Sequence, residues 1–332
     1  VSISFERAAV DQAGITEELV VQTLYTELEA TLEGVQRAVD DTEAQAIGQA
    51  ALFSRLPAVA QAYEIAATGD MRDETSPESQ AARDLLRGYL EPFQSGYSEA
   101  IGSPMNIHFH LPTANSLVRA WRDGYQVTRD GEQLDVSDDL SGFRQTVLDI
   151  NSGSHEPITG IEVGRGGLVI RGIMPVTGSA GEHLGSVESF FSFVPVIEKS
   201  RTSEELLFSI YMNTDLLSVA TLFADQEQYP QVDGEYVELA ATDSSQTFEE
   251  VSRQFIDRAT GGRIVERSGN VVLAGMPIND YAGNNVGALV AFRDASQVIA
   301  SLNDGKQQAI ESGRQLGLLI AVSVFGIMLI II

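Results

Sequence analysis

From Ile15 to Leu56 the chain has no proline, and Leu24, Leu28, Leu32, Val35 and Val39 recur at steps of three and four. That spacing places one apolar stripe along a helix, with Glu27, Glu29, Glu33 and Arg37 on its other faces. The pattern predicts a long amphipathic N-terminal helix, and a first membrane span is expected ahead of it. The other end has the same character. Asp294 is a good N-cap with Gln297 three residues on, and from Ala295 no proline interrupts the chain. Val298, Leu302, Ala309 and Leu316 follow at coiled-coil-like spacing. Leu316–Ile332 carries no charge and is nearly all apolar. A spanning helix needs ~20 such residues, so this run is expected to enter a membrane. At 1.5 Å per residue, a helix from Ala295 to Ile332 would be a rod of ~57 Å.

Between these helices the period changes from 3.6 to 2. Asn106–Leu111 and Leu117–Trp121 alternate apolar and polar positions across Pro112-Thr113-Ala114-Asn115, a hairpin signal. A polar loop from Arg122 to Ser141 and a short helix from Gly142 to Asn151 come next. Farther on, Leu206–Met212 and Tyr236–Ala241 are expected as strands, and Thr247–Ala259 as a helix.

An ungapped repeat at an offset of 102 residues organises the rest. Gly167 overlies Gly269, and Met174-Pro175-Val176 overlies Met276-Pro277-Ile278. Gly181, Gly185 and Phe190 overlie Gly283, Gly287 and Phe292. Each copy is an apolar strand, a glycine-bearing turn and a second strand, so two units of one fold are expected. The resulting fold class is α+β: two tandem PAS-like modules on a long N-terminal helix, followed by a transmembrane helix. The divisions are 1–69 for the helix, 70–200 and 201–294 for the modules, and 295–332 for the juxtamembrane and membrane helix.

Composition narrows the functions. The net charge is −26, from 47 acids against 21 bases, and Lys199 and Lys306 are the only lysines. Such a surface repels nucleic acid, which is excluded as a partner, and stays hydrated at high salt. There is no cysteine, so disulfides, thiolate metal sites and cysteine nucleophiles are excluded. Four histidines, no nucleophile elbow, no phosphate loop and no HExxH argue against an enzyme.

The runs Ile107-His108-Phe109-His110-Leu111-Pro112 and Ser116-Leu117-Val118-Arg119-Ala120-Trp121 resemble the membrane-distal half of double Cache sensor domains. Asp138–Arg144 and Gly160–Leu168 continue the resemblance. It implies two Cache modules in a periplasmic sensor anchored in the inner membrane. The parent would be a homodimeric receptor: a chemoreceptor first, a histidine kinase or diguanylate cyclase otherwise. It also implies that the distal module binds a small molecule such as an amino acid, amine or carboxylate. The family's Arg-x-Trp-Tyr pattern is matched by Arg119-Ala120-Trp121, and Glu162 matches the later acid. Arg122 stands where tyrosine is expected, which leans toward an anionic ligand.

The two repeat copies point to the same module. Arg171, His183 and Glu188 overlie Leu273, Asn285 and Val290, so the distal copy is polar where the proximal one is less so. Buried charge is costly unless paired or used, which makes the distal module the candidate site and the proximal one a relay. Strand parity puts His108 and His110 on one face. It also puts Arg119 and Trp121 together, with Arg122 opposite. A pocket floored by Trp121 and ringed by Arg119, His110 and Arg144 would suit a carboxylate. The candidate ligand-binding residues are His108, His110, Arg119, Trp121, Arg122, Asp139, Arg144, Glu162 and Arg171. Duller roles stand beside these. Trp121 could be core, Arg122 surface, Arg119 and Arg144 ion pairs with Glu162 or Asp139, and Arg171 a partner of Glu188. His108 and His110 could be a metal pair, but no third ligand is evident, so no metal and no cofactor is assigned. A module that docks a periplasmic binding protein is the alternative, with an exposed apolar patch at its distal tip.

Overall fold

The computed structural model describes residues 2–242 and 251–331. Helix α1 (Ser2–Ser54) runs along the whole assembly, and the predicted stripe is its buried edge: Leu24, Leu28, Leu32, Val35 and Val39 are each at most 7% exposed. Helices α2 (Pro57–Ala66) and α3 (Pro77–Ile101) follow, each opened by proline in its first turn, where no backbone donor is lost.

The outer module then builds β1 (Ile107–His110), β2 (Ser116–Arg119), a small hairpin of β3 (Val127–Arg129) and β4 (Glu132–Leu134), α4 (Gln145–Ser152), β5 (Ile158–Gly164), β6 (Gly167–Thr177) and β7 (His183–Ser192). Its main sheet is antiparallel with order β2-β1-β7-β6-β5. The linking helix α5 (Phe193–Lys199) leads to the inner module. This comprises β8 (Leu206–Asn213), β9 (Gln231–Val232), β10 (Tyr236–Ala241), α6 (Arg253–Gly261), β11 (Ile264–Ser268), β12 (Val271–Asn279) and β13 (Asn285–Asp294), with sheet order β11-β12-β13-β8-β10-β9. Helix α7 (Ser296–Ile331) closes the chain and packs along α1.

The repeat occupies equivalent places in both sheets. Strands β7 and β13 are offset by 102 residues at both ends, and each pairs with its β6 or β12 partner through a bulge at the same point, Val176/Thr177 and Ile278/Asn279. Gly185 and Gly287, at φ +152° and +156°, sit in matching strained positions beside neighbouring backbone. The polar loop 122–141 proves to hold the β3–β4 hairpin. The expected helix at Thr247–Ala259 begins at Arg253, capped by the Ser252 hydroxyl; its residues 247–250 lie outside those described.

Among the described residues no helix is long and apolar enough to cross a membrane. The expected span at Leu316–Ile332 continues α7 as helix as far as Ile331, but the side chains at 316, 317 and 319–332 lie outside those described.

One face of the outer sheet is covered by α1. Gly172 lies flush on that helix: a Cβ there would stand 2.1 Å from the Ile47 nitrogen. Alternation sends the neighbouring Arg171 to the other face, where the charged residues gather.

Candidate functional site

That second face is built by register. His108 lies opposite Glu188 on β7 and opposite Arg119 on β2, while His110 lies opposite Ser186. Arg171 on β6 pairs with Phe190, two residues from Glu188, and Glu162 on β5 pairs with Val169. Residues opposite one another in an antiparallel ladder share a face, so five strands deliver these side chains to one floor.

Glu188 is the hub and is fully buried. Its Oε1 accepts from Arg144 Nη1 at 3.0 Å and lies 3.1 Å from His108 Nδ1 and 3.3 Å from His110 Nε2. Its Oε2 accepts from Arg144 Nη2 at 2.6 Å and Arg171 Nη1 at 3.0 Å. Glu162 accepts from Arg144 Nε at 2.8 Å and from the Thr146 amide and hydroxyl at 2.9 Å each. Arg171 Nε lies 2.8 Å from Glu162 Oε2 but makes no aligned hydrogen bond. Burial pushes the Glu188 carboxyl up, yet Arg144 and Arg171 overcome it and hold the group well below the usual carboxylate range. Glu162 is lowered in the same way. Burial pulls Arg171 down from its ordinary value, as does the adjacent Arg144, whereas Arg144 is raised by its two carboxylates against the effect of burial. Both histidines are lowered, first by burial, and are neutral near pH 7.

Above this floor is a cavity of about 410 Å³. Trp121 is one wall, edge-on to Phe190 at 5.0 Å and to His108 at 5.8 Å. Arg119 makes a bidentate pair with Asp138 at 2.6 and 3.0 Å. Two guanidiniums at the cavity have no carboxylate within 4.0 Å among the described residues. Arg122 lies over Trp121 and Tyr125 at 5.8 and 5.3 Å and donates to the Gln126 carbonyl. Arg165 lies over Phe143 at 4.3 Å.

Of the sequence-predicted residues, His108, Arg119, Trp121, Arg122, Arg144 and Arg171 line this cavity. His110 and Glu162 lie buried beneath it. Asp139 is elsewhere: exposed, accepting from the Ser141 amide and lining a different cleft. Its neighbour Asp138 is the partner of Arg119. Arg122 was expected opposite Trp121, but β2 ends at Arg119 and the chain turns, bringing both to the same cavity. Sequence reasoning left Asp138 and Arg165 unassigned. Alternation would have found Asp138, since it must face away from Asp139.

Among the described residues the equivalent face of the inner sheet has no such cluster. Leu273 and Val290, at the places of Arg171 and Glu188, are buried in an apolar core with Phe255 and Ala259 of α6.

Two tandem sheets of matching topology on one long helix, the first with a buried charged cluster where the second has Leu273 and Val290, agree with the sequence comparison. Residues 22–299 match the dCache_3 family, described as the double sensory domain of two-component sensor kinase. The chain belongs to the double Cache family. Sensor domains of solved structure are among those it is matched with. The sensor domain of the V. cholerae histidine kinase DctB is 12% identical, with a TM-score of 0.45, covering 82% of this chain and 97% of that one. A domain of a putative sensory box/GGDEF protein from Vibrio parahaemolyticus is 11% identical, with a TM-score of 0.47 and coverages of 83% and 98%. The ligand-binding domain of the Pseudomonas fluorescens chemoreceptor CtaA, in complex with L-serine, is 13% identical, with a TM-score of 0.37 and coverages of 83% and 99%. No curated protein matches the sequence.

Proposed function

We propose that this double Cache domain is the non-catalytic, extracytoplasmic sensing region of a homodimeric transmembrane receptor, and that its outer module binds a small organic anion. The observation that carries this reading is the contrast between equivalent faces. The inner one is filled by apolar side chains under α6, while the outer one keeps about 410 Å³ open beside Arg122 and Arg165. That volume lies within the range of metabolite pockets, ~300–1,000 Å³. A carboxylate offers each free guanidinium the planar partner that the chain withholds. The aromatic walls would take the ligand's apolar part. An amino acid would be held by its carboxylate.

Occupancy has a short route inward. Arg144 opens α4, whose Asp149 accepts a 2.7 Å hydrogen bond from Tyr281 of the inner module. The Tyr281 amide donates to Ile161 at 2.8 Å, and the Leu222 amide to the Arg165 carbonyl at 3.3 Å. Closure on an anion would pull on these three contacts, and α1 with α7 would carry the shift toward the membrane. A ligand moves this equilibrium only by its differential affinity for the two states. The family's description favours a sensor kinase over the chemoreceptor expected from sequence.

The test is a thermal-shift screen of amino acids and mono- and dicarboxylates, followed by calorimetry. A ligand at 100-fold over its dissociation constant adds ~2.7 kcal/mol of stability. Arg122→Ala combined with Arg165→Ala should weaken the best ligand at least ~tenfold, the loss of about one charge-assisted contact. Unchanged affinity in the double variant, or a screen in which no anion stabilises the chain, sinks the reading. Binding to a periplasmic protein instead would favour the docking alternative, for which Leu52, Tyr89 and Phe93 expose apolar surface on α1 and α3.

A further inference from the structure

Beneath the cavity, three potential ligand atoms converge on one point. His108 Nδ1 and His110 Nε2 are 3.0 Å apart, and Glu188 Oε1 is 3.1 and 3.3 Å from them. Tetrahedral ligands bound to zinc at ~2.0–2.1 Å stand ~3.3–3.4 Å from one another, so a cation fits over this triangle with small adjustment. The third ligand invisible to strand parity on β1 alone is supplied by the ladder, which sets Glu188 directly across from His108.

We propose that His108, His110 and Glu188 form a divalent-metal site of the zinc class, with its fourth position open to the outer cavity. The residues around the trident are arranged for this. The remaining nitrogen of His108 lies 2.8 Å from the Ser116 hydroxyl, and that of His110 lies 3.0 Å from the Ser186 hydroxyl. On binding, each neutral imidazole carries its proton on the nitrogen facing serine, and the serine oxygen accepts it. The other nitrogen then presents a lone pair to the metal. Such hydrogen bonds fix the tautomer and orientation of metal-bound histidines. Ser186 in turn accepts from Asn151 at 3.0 Å. His108, at 2% exposure, and the fully buried Glu188 border the floor of the cavity, so the fourth position of the ion would face it.

Arg144 and Arg171 set the strength of the site. They balance Glu188 and Glu162, so a dication enters a cluster that is already neutral and binds more weakly than in a closed thiolate site. Weak, reversible binding suits a sensor, and an anion in the cavity would tighten it by restoring charge balance.

The chelator-stripped chain should take up one Zn²⁺ in calorimetry, and Co²⁺ in its place should show the intense visible bands of a tetrahedral site. His110→Ala, with an unchanged circular dichroism spectrum, should lose at least ~tenfold in Zn²⁺ affinity, which is one ligand's share of a site. His183→Ala should bind as the wild type does. Failure of the wild type to bind Zn²⁺, affinity indifferent to His110→Ala, or affinity lost in His183→Ala would each overturn the proposal. Should His110→Ala not fold, the wild-type cobalt spectrum decides, because weak bands of the carboxylate type place the ion on the acidic surface. Anion binding by the metal-free chain is measured separately, so the metal site and the receptor reading can fail independently.

Discussion

Glu188 holds its face together because it is saturated. Both oxygens are occupied, two arginines neutralise it, and two histidines rest against it as neutral rings. Removing one member of a buried ion cluster strands the others, which is why such clusters are strongly coupled. They also tie stability to pH in a definite direction. His108 and His110 are held below their ordinary pKa of 6.5, chiefly by burial, and His183 is held down to about 4. In the unfolded chain these rings take up protons as pH falls through ~6.5, whereas in the folded chain they do not. Stability is therefore fully present above 6.5 and is lost as pH falls below it. The loss is up to ~1.4 kcal/mol per pH unit for each of the two fully buried rings. The lowered carboxyls of Glu188 and Glu162 act the same way below 4.5. Thermal melts should drop between pH 6.5 and 4.5, and His108→Gln should flatten that slope even where it lowers the melting point at pH 7.5. A melting point level across this window would show that the histidines are not held neutral.

Two glycines, one where α1 meets β6 and one on the exposed side of α1, carry opposite expectations. Gly172→Ala would put a methyl 2.1 Å from the Ile47 nitrogen, so α1 must lift off β6. Overpacking of this kind costs ~1–3 kcal/mol, and here the obstacle is backbone that cannot rotate away. Gly48→Ala, on the exposed side of α1 with open space around it, should instead stabilise by ~1 kcal/mol through helix propensity. Urea titration of both variants checks the pair, and a neutral Gly172→Ala would mean the contact is looser than described. At this scale the sequence was most legible where a period repeats. The stripe on α1 and the 102-residue hairpin repeat showed the buried helix edge and the two matching hairpins because each buried position is echoed by another. The β3–β4 hairpin was hidden, since Thr128–Gln133 are exposed and short strands with wet sides show no alternation. The site was half legible for the same reason. Parity placed His108, His110, Arg119 and Trp121, but it misassigned Arg122 where the strand stops. It also could not reveal that Glu188, already marked by its contrast with Val290, would be the common partner.

For the whole chain, charge and architecture pull apart. A net charge of −26 spreads repulsion over two modules and a helix, while the buried cluster of Arg144, Arg171, Glu162 and Glu188 is internally balanced. Added salt acts on the first and hardly on the second, because screening works through solvent. The Debye length falls from ~30 Å at 0.01 M to ~3 Å at 1 M, enough to silence repulsion between neighbouring surface acids. Salt also weakens exposed pairs such as Arg37–Glu33 and Arg258–Glu266. Those are worth only ~0–1 kcal/mol each, and acids outnumber bases by 47 to 21, so relief of repulsion dominates. The melting temperature should therefore rise with sodium chloride from 0.01 to 1 M, without change in the pH dependence set by the buried groups. Chloride is the right anion for the measurement, since sulfate would strengthen apolar burial on its own. A melting point that falls with salt would mean that exposed ion pairs, not the excess of acids, govern the surface. The acidity would then have to be explained by a cationic partner instead of by hydration.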